Sequence, residues 1–337
     1  MKTLNRRLII NIITSILIFA GFYAIPDFSV LFVLLSGVLF FVSAYEGSVK
    51  ESFVLISFSL ILSVVIFSLN GFNGKSLYNG FFTFLLLVLP GTAMGFAVKN
   101  KKDFMAVLVS GTISLLLPIL IALIRFKFVL KIDFAEDFIN KPIAEFITYY
   151  KDMISATGID GIENLLNVMA DIQWFIQQTI TMIMPSAFIL ICSFSIYLMF
   201  LFGRKIVSKN HGDIMAYPHS NQLKMPRFAS TILIILYVMT FFMKTSAFSG
   251  AIANILIIFS ALYMVCGLSL LDFYLRKRIH WIARILIYAT GGILLTVIGV
   301  IIPLANVFTI LFLAGLFDSS RDFRRLGLSL GGKKDEK

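Results

Sequence analysis

The sequence predicts an all-α fold: a polytopic integral membrane helical bundle of about ten segments, with a cytoplasmic N-terminus and C-terminus. Three observations predict it. Apolar residues make up 59% of the 337 residues and charged residues only 14%, whereas soluble proteins carry about 25% charged residues. Apolar runs long enough to cross a bilayer recur along the whole chain. Lys and Arg cluster at every second gap between these runs, as they do in cytoplasmic loops.

The first five apolar runs predict five membrane crossings and place residue 130 outside the cell. Each is close to the ~20 residues that cross the hydrocarbon core. The basic turn Lys99-Asn100-Lys101-Lys102 marks the cytoplasmic loop between the fourth and fifth runs. Basic residues precede the first run, which we expect to remain as a membrane helix rather than to be cleaved as a signal peptide. The five runs lie at about residues 8–25, 28–44, 53–69, 80–98 and 104–126.

An acidic segment, residues 131–172, breaks this pattern with eight acidic and three basic residues. Its apolar residues recur at three-, four- and five-residue steps on either side of Gly158 and Gly161. This spacing predicts two amphipathic helices separated by a glycine turn. We expect an external helical insert at the membrane interface or over the mouth of the bundle. It is either a connector packed on its own bundle or a mobile lid over a pocket.

The rest of the chain is predicted to cross five more times. The sixth run, at about 173–202, is long enough to project beyond the hydrocarbon, and its Pro185 predicts a kink. Because Arg284 and Arg321 both belong on the cytoplasmic side, the last apolar stretch must turn back near residues 303–306. A cytoplasmic loop at 203–227 and runs at about 228–244, 250–271, 282–302 and 303–317 complete the pattern. We treat residues 1–325 as one membrane domain and 326–337 as a disordered cytoplasmic tail.

Charge and motif content narrow the function. The net charge of +11 lies in short loops beside apolar runs, so the lipid bilayer rather than nucleic acid is the expected partner. Every Asp and Glu falls in a loop or near a predicted helix end, which disfavours a proton-coupled or ion-coupled carrier. HExxH and CxxC motifs are both absent from the sequence. We therefore expect no catalytic residue, no metal site and no cofactor.

Two sets of polar residues are candidate sites. Amides and an indole at the outer end of the sixth run can hydrogen-bond a neutral solute, although such residues also serve as interfacial anchors and in helix packing. The arginine-rich C-terminal end of the last run is a candidate partner site, although it also fits a simple positive-inside anchor. The solute set is Gln173, Trp174, Gln177, Gln178, Thr181 and Asn254, and the partner set is Arg321, Asp322, Arg324 and Arg325.

Gly91 and Gly95 form a GxxxG motif in the fourth run. Small residues four apart let two helix backbones approach closely. The motif predicts close helix packing, either inside this chain or against a partner membrane protein.

Three segments form an ordered pattern. They are Leu89-Pro90-Gly91-Thr92-Ala93-Met94-Gly95-Phe96, the loop from Gly203-Arg204-Lys205 to Met225-Pro226-Arg227, and Gly315 to Arg325 with its Asp-Phe-Arg. The pattern resembles the uncharacterised YybS-type (DUF2232-like) family of bacterial membrane proteins. The resemblance implies a multi-pass protein of the bacterial cytoplasmic membrane. In its predicted helices and its Pro/Gly-containing span, this family is distantly similar to S components of energy-coupling-factor transporters and to MreD-like cell-shape proteins.

The leading hypothesis is a solute-binding or transport-associated membrane protein that lacks its own ATPase and depends on a separate transporter ATPase module. The alternative is a structural or regulatory MreD-like protein that binds partners through basic cytoplasmic loops. A third hypothesis, an enzyme acting on lipid, has no motif in its favour, so we expect the protein not to be an enzyme.

Overall fold

A computed structural model describes residues 2–69, 71–134, 136–155, 162–211, 217, 222–242, 247–276, 279–301, 306–321 and 323–324. All regular structure in these ranges is helical, which confirms the all-α prediction. The chain divides into two compact units, Met1–Thr181 with Ala187–Ala216, and Met182–Ser186 with Tyr217–Lys337. The sequence, interpreted as one membrane domain, does not reveal this division.

The first unit contains helices α1 to α6 and all of α7 except residues 182–186, which belong to the second unit. A 3-10 turn, Pro26–Phe28, precedes α2, and a π-helical segment, Glu136–Asn140, leads into α6. The helices are α1 (Lys2–Ala24), α2 (Ser29–Glu46), α3 (Val49–Ser68), α4 (Gly74–Lys99), α5 (Phe104–Phe128), α6 (Lys141–Ser155) and α7 (Ile162–His211).

Polar side chains cap the N-termini of three of these helices. Ser48 accepts a hydrogen bond from the Glu51 backbone N–H, and Glu51 accepts one from the Ser48 N–H, which forms a capping box at α3. Asn73 and Ser76 form the same arrangement at α4. Asp103 caps α5. These side chains satisfy backbone N–H groups that have no partner in the first helical turn.

Large apolar side chains and close glycine contacts hold the first unit together. Its buried core includes Phe19, Phe40 and Leu87. A Cβ at Gly91 would lie 2.3 Å from the Gly37 carbonyl oxygen, and α4 therefore touches the backbone of α2. The GxxxG motif thus packs inside the chain, since Gly95 meets α2 in the same way.

The second unit contains four further helices, α8 (Arg227–Phe242), α9 (Ala247–Arg276), α10 (Trp281–Ile301) and α11 (Val307–Arg321). Met225, Ala229, Leu233, Tyr263 and Cys266 form its buried cluster. Glycines again permit close backbone contact: a Cβ at Gly267 would lie 1.9 Å from the Leu311 carbonyl oxygen, and one at Gly315 would lie 2.0 Å from that of Tyr263.

Seven helices of the described chain are long and apolar enough to cross a membrane. Five of them are α1 to α5, α2 being counted with the 3-10 turn before it; the sixth lies in α7 (residues 171–209) and the seventh in α9 (248–276). Three other predicted crossings match shorter helices: α8 has 16 residues, α10 has a 15-residue apolar stretch, and α11 has 15 residues. The ten-crossing topology and the side on which the termini lie therefore remain predictions.

Two regions allow the predicted helix boundaries to be compared with the structure: the acidic insert and the predicted hairpin near residues 303–306. The acidic insert contains one separate amphipathic helix, α6, whereas its second half is the start of the 50-residue α7. Two helices thus lie on either side of 156–161, as predicted, but the expected end of the second helix at about residue 172 was wrong, because this helix continues into the sixth run. The glycine turn between them, at 156–161, lies outside the described residues, as do residues 302–305 of the predicted hairpin. On either side of them, α10 is described to Ile301 and α11 begins at Val307.

Candidate functional site

The predicted solute-binding residues of α7 differ in exposure. Trp174 is 65% exposed, Gln178 and Thr181 are exposed, and Gln173 is half-buried. The Gln177 Nε2 donates to the Asn140 carbonyl oxygen at 2.9 Å and so ties α7 to the π-helical segment of the same unit. Gln177 thus has a packing role, while the exposed ring of Trp174 fits the alternative role of an interfacial anchor. Solute contact by this set remains a prediction.

Asn254 contacts a proline-interrupted stretch of helix. Pro185 has no backbone N–H, which removes one hydrogen bond from the α7 ladder. The next pair of the ladder, the Ser186 N–H and the Met182 carbonyl oxygen, is bridged by the Asn254 side chain. Its Oδ1 accepts from Ser186 N at 2.9 Å, and its Nδ2 donates to the Met182 oxygen at 2.8 Å.

The Asn254 amide has little capacity left for a solute. Its Nδ2 also donates to the Gly250 carbonyl oxygen at 2.8 Å, so both of its N–H groups are used. Asn254 thus completes hydrogen bonds beside a proline in the second unit, and its contact with a solute stays a prediction. Pro185 and Asn254 are 69 positions apart, and no pattern in the sequence connects them.

Arg324 is buried rather than presented at the surface. It is 8% exposed, and its Nε donates to Asp318 Oδ2 at 2.9 Å. Its Nη2 donates to the Leu223 carbonyl oxygen at 2.7 Å and to Ser269 Oγ at 3.3 Å. Groups of its own chain surround the guanidinium, and a contact of Arg324 with a partner stays a prediction. Arg321 is exposed, and Asp322 and Arg325 lie outside the described residues.

A hydroxyl network lies in the same unit. Ser230 Oγ lies 2.7 Å from Ser319 Oγ and 3.0 Å from the Tyr263 hydroxyl, and these three side chains are buried. Asp318, the neighbour of Ser319, is fully buried, and its Oδ1 has no hydrogen-bond partner among the described residues. Sequence analysis placed Asp318 near a helix end but did not identify it as buried. Within the described chain, no group of three or more His, Cys, Asp and Glu residues could hold a metal ion.

The first unit holds a cavity of about 230 Å³, lined by charged, polar and apolar residues, at the start of α1 and at the turn between α2 and α3. Arg7 Nη1 lies 3.2 Å from Glu46 Oε2, with the Arg7 side chain 58% exposed and that of Glu46 only 9% exposed. Lys99 donates to the carbonyl oxygen of Gly47, which also lines the cavity. The full lining is Arg7, Leu8, Asn11, Val42, Ser43, Glu46, Gly47 and Glu51.

The cavity is not apparent from the sequence, in which Arg7 and Lys99 mark only the predicted cytoplasmic side and Glu46 has no predicted role. Residues from three helices line the cavity, and they are separated by up to 44 positions between Arg7 and Glu51. A sequence feature that could have indicated the cavity is Glu46, a glutamate at the end of an apolar run on the side where basic residues predominate.

Comparisons with known proteins place the chain in a family of membrane proteins. No curated protein and no solved structure matches it. A family model described as "Predicted membrane protein (DUF2232)" matches residues 12–319, which include nearly every helix of both units. The chain therefore belongs to the DUF2232 family of predicted membrane proteins.

Proposed function

We propose that this membrane protein binds a small polar solute and is associated with transport, with a separate ATPase module as the source of energy. The single observation that carries the proposal is the cavity of the first unit, whose lining includes the polar side chains of Arg7, Asn11, Ser43, Glu46 and Glu51. The proposal gives the chain no catalytic step of its own.

The size and chemistry of the cavity suggest the kind of solute. Its volume of about 230 Å³ is below the roughly 300–1,000 Å³ of pockets that hold drug-sized ligands. A carboxylate, a guanidinium and an amide line it together, at Glu46, Arg7 and Asn11. This combination offers both donors and acceptors, and it favours a compact solute that carries an amine and an acidic group.

The predicted topology indicates the side of the membrane on which the cavity lies. Arg6, Arg7, Lys50 and Lys99 belong to basic clusters that we expect in the cytoplasm. The cavity would then face the cytoplasm, where it would release or receive solute. This differs from our sequence-based expectation of an outward-facing pocket at the end of the sixth run.

Ligand-dependent thermal stabilisation tests the solute proposal. The purified full chain is heated in detergent with a panel of amino acids and other small zwitterions. A bound solute raises the unfolding midpoint, because it stabilises only the folded state. We expect Glu46→Gln to remove this shift and Glu145→Gln, an exposed residue of α6, to keep it. A panel without any stabilising solute, or equal shifts in both variants, would contradict the proposal.

The transport association has its own test. Affinity purification of the full chain in mild detergent should recover an ATPase or a membrane adaptor. Failure to recover either one would reject a role like that of S components but would leave solute binding in place.

A second candidate function is partner binding through the cytoplasmic end of the second unit. The specific observation in its favour is that Arg324 joins Asp318 to the Leu223 carbonyl oxygen, which gives the end of α11 and the segment before α8 a fixed arrangement. Arg321 is exposed beside this arrangement. We expect the double variant Arg321→Gln and Arg325→Gln to lose a co-purifying partner while it still inserts into membranes. Equal partner recovery from the variant would reject this function.

A further inference from the structure

The external helix α6 exposes a continuous aromatic face. Phe146, Tyr149, Tyr150 and Met153 are 62%, 66%, 37% and 49% exposed. Their spacing of three, four and seven residues places them on one side of the helix. Ile147, on another side, is only 7% exposed and so packs within the first unit. The helix therefore has one apolar contact with its own unit and a second apolar face without a described partner.

This face continues the apolar surface of a membrane-spanning helix. Phe138, 54% exposed, lies in the π-helical segment that leads into α6. Its ring stacks on that of Phe134, with 5.1 Å between centroids, and meets the edge of Phe126 at 6.2 Å. Phe126 belongs to the last turns of α5, where Phe128 is 73% exposed. An aromatic path thus leads from the end of a candidate span to the start of α6.

Charged groups lie to the side of the aromatic face. Lys141, in the first turn of α6, donates a hydrogen bond to Asp137. This bond lowers the pKa of the Asp137 carboxyl below its usual value. Glu145 and Asp152 are exposed, and on a helical projection they lie beside the aromatic face rather than within it. An apolar face with a polar face opposite is typical of helices that lie in the plane of a membrane interface.

We propose that α6 lies in the outer leaflet with Phe146, Tyr149, Tyr150 and Met153 at the boundary between the headgroups and the acyl chains. The occupant of the aromatic face is therefore phospholipid. Continuity with α5 favours this, because α5, as a candidate span, contacts acyl chains. Residue type favours it too, since Tyr combines a ring that prefers an apolar site with a hydroxyl that remains hydrated, and aromatic residues concentrate at membrane interfaces.

Fluorescence quenching by brominated lipids tests the position of α6. Trp174→Phe and Trp281→Phe remove the two native tryptophans, and one tryptophan is then introduced at Tyr149 or, as the matched control, at the exposed Thr148 on the opposite side. Both variants are reconstituted in vesicles of phosphatidylcholine and phosphatidylglycerol, with bromine near the headgroup end of the acyl chains, near the methyl end, or absent. Circular dichroism verifies that both variants are folded.

We expect Tyr149→Trp to be quenched at least twofold more than Thr148→Trp, and more by bromine near the headgroups than by bromine near the chain ends. Equal quenching at the two positions would overturn the proposal. Quenching of Tyr149→Trp by aqueous iodide but not by bromine would indicate a solvated lid instead. Protection from both quenchers that disappears when the protein is diluted in lipid would indicate a second copy of the chain on this face.

Discussion

Buried polar side chains in the second unit have structural roles that follow from what surrounds them. The Arg324 guanidinium and the Asp318 carboxylate are both removed from solvent, so the charge of each is compensated by the other rather than by water. The Asn254 amide supplies a donor and an acceptor beside Pro185. Removing the partner of any one of these buried groups would destabilise the fold by more than the intact interaction stabilises it.

We predict that Asp318→Asn destabilises the protein by roughly 3–5 kcal/mol, because it leaves the Arg324 charge buried without its partner. The double variant Asp318→Leu and Arg324→Met should recover a large part of this loss, since an apolar pair needs no desolvation. Chemical unfolding in detergent micelles measures these changes. Arg7→Gln, in a pair whose arginine is 58% exposed, should cost no more than about 1 kcal/mol. Equal losses for Asp318→Asn and Arg7→Gln would contradict the prediction.

We predict that Asn254→Leu costs about 1–3 kcal/mol, because the Ser186 N–H and the Met182 carbonyl oxygen lose the partner that the fold provides. In a Pro185→Ala background the same change should cost less, since a regular helix can pair these two groups itself. A double-mutant cycle of unfolding free energies tests this coupling. Strictly additive costs would show that Asn254 does not compensate for the proline.

At the scale of helices, close packing depends on which glycines face another backbone. Gly91 and Gly95 meet α2, and Gly267 and Gly315 join α9 to α11. A Cβ at Gly292, by contrast, would have no neighbour within 4 Å. The sequence marks all of these positions as small, but only the packing of the helices distinguishes a contact from an exposed face.

We predict that Gly91→Ala destabilises the first unit by roughly 1–3 kcal/mol, because the added methyl group would collide with the Gly37 carbonyl oxygen. The matched substitution Gly292→Ala should be neutral or stabilising by up to about 1 kcal/mol, since alanine favours a helix more than glycine does. Thermal unfolding of the two variants in the same detergent provides the comparison. A larger loss for Gly292→Ala would mean that the Gly292 face of α10 packs tightly against another helix.

For the whole molecule, the open structural question is the number of crossings. Seven helices of the described chain meet the length and hydropathy of a membrane span, whereas the distribution of basic residues favours ten crossings. The two counts differ in parity. If the N-terminus is cytoplasmic, ten crossings return the C-terminus to the cytoplasm, and seven leave it outside.

We predict that Ser320→Cys, at an exposed position near the end of α11, is labelled by a membrane-impermeant maleimide only after cells are permeabilised. Asp152→Cys in α6 should be labelled in intact cells, because this helix is expected outside. Both changes are made after Cys192 and Cys266, the buried cysteines, are replaced by alanine. Labelling of both Asp152→Cys and Ser320→Cys in intact cells would exclude the ten-crossing topology, which places five crossings between them.

The sequence determined most of the helices. Periodicity and run length located α1 to α5 and α8 to α11 because the backbone hydrogen bonds of a helix join residues four positions apart, which makes each helix a local property of its own apolar run. The basic loops also predict how the helices are oriented in the membrane, again from residues that are close together in the sequence. One local prediction failed: the second amphipathic helix is the start of α7, because its helical hydrogen bonds continue into the sixth run.

Only the tertiary structure decided what the polar residues do. Arg7 and Glu46 border one cavity, Asn254 bridges groups beside Pro185, and Arg324 pairs with Asp318 and reaches Leu223, 101 positions earlier in the chain. Hydropathy treats a buried arginine and an exposed one alike, since both interrupt an apolar run. Their difference comes from the desolvation of the charge and from the partners that surround it, and both depend on contacts between residues distant in sequence.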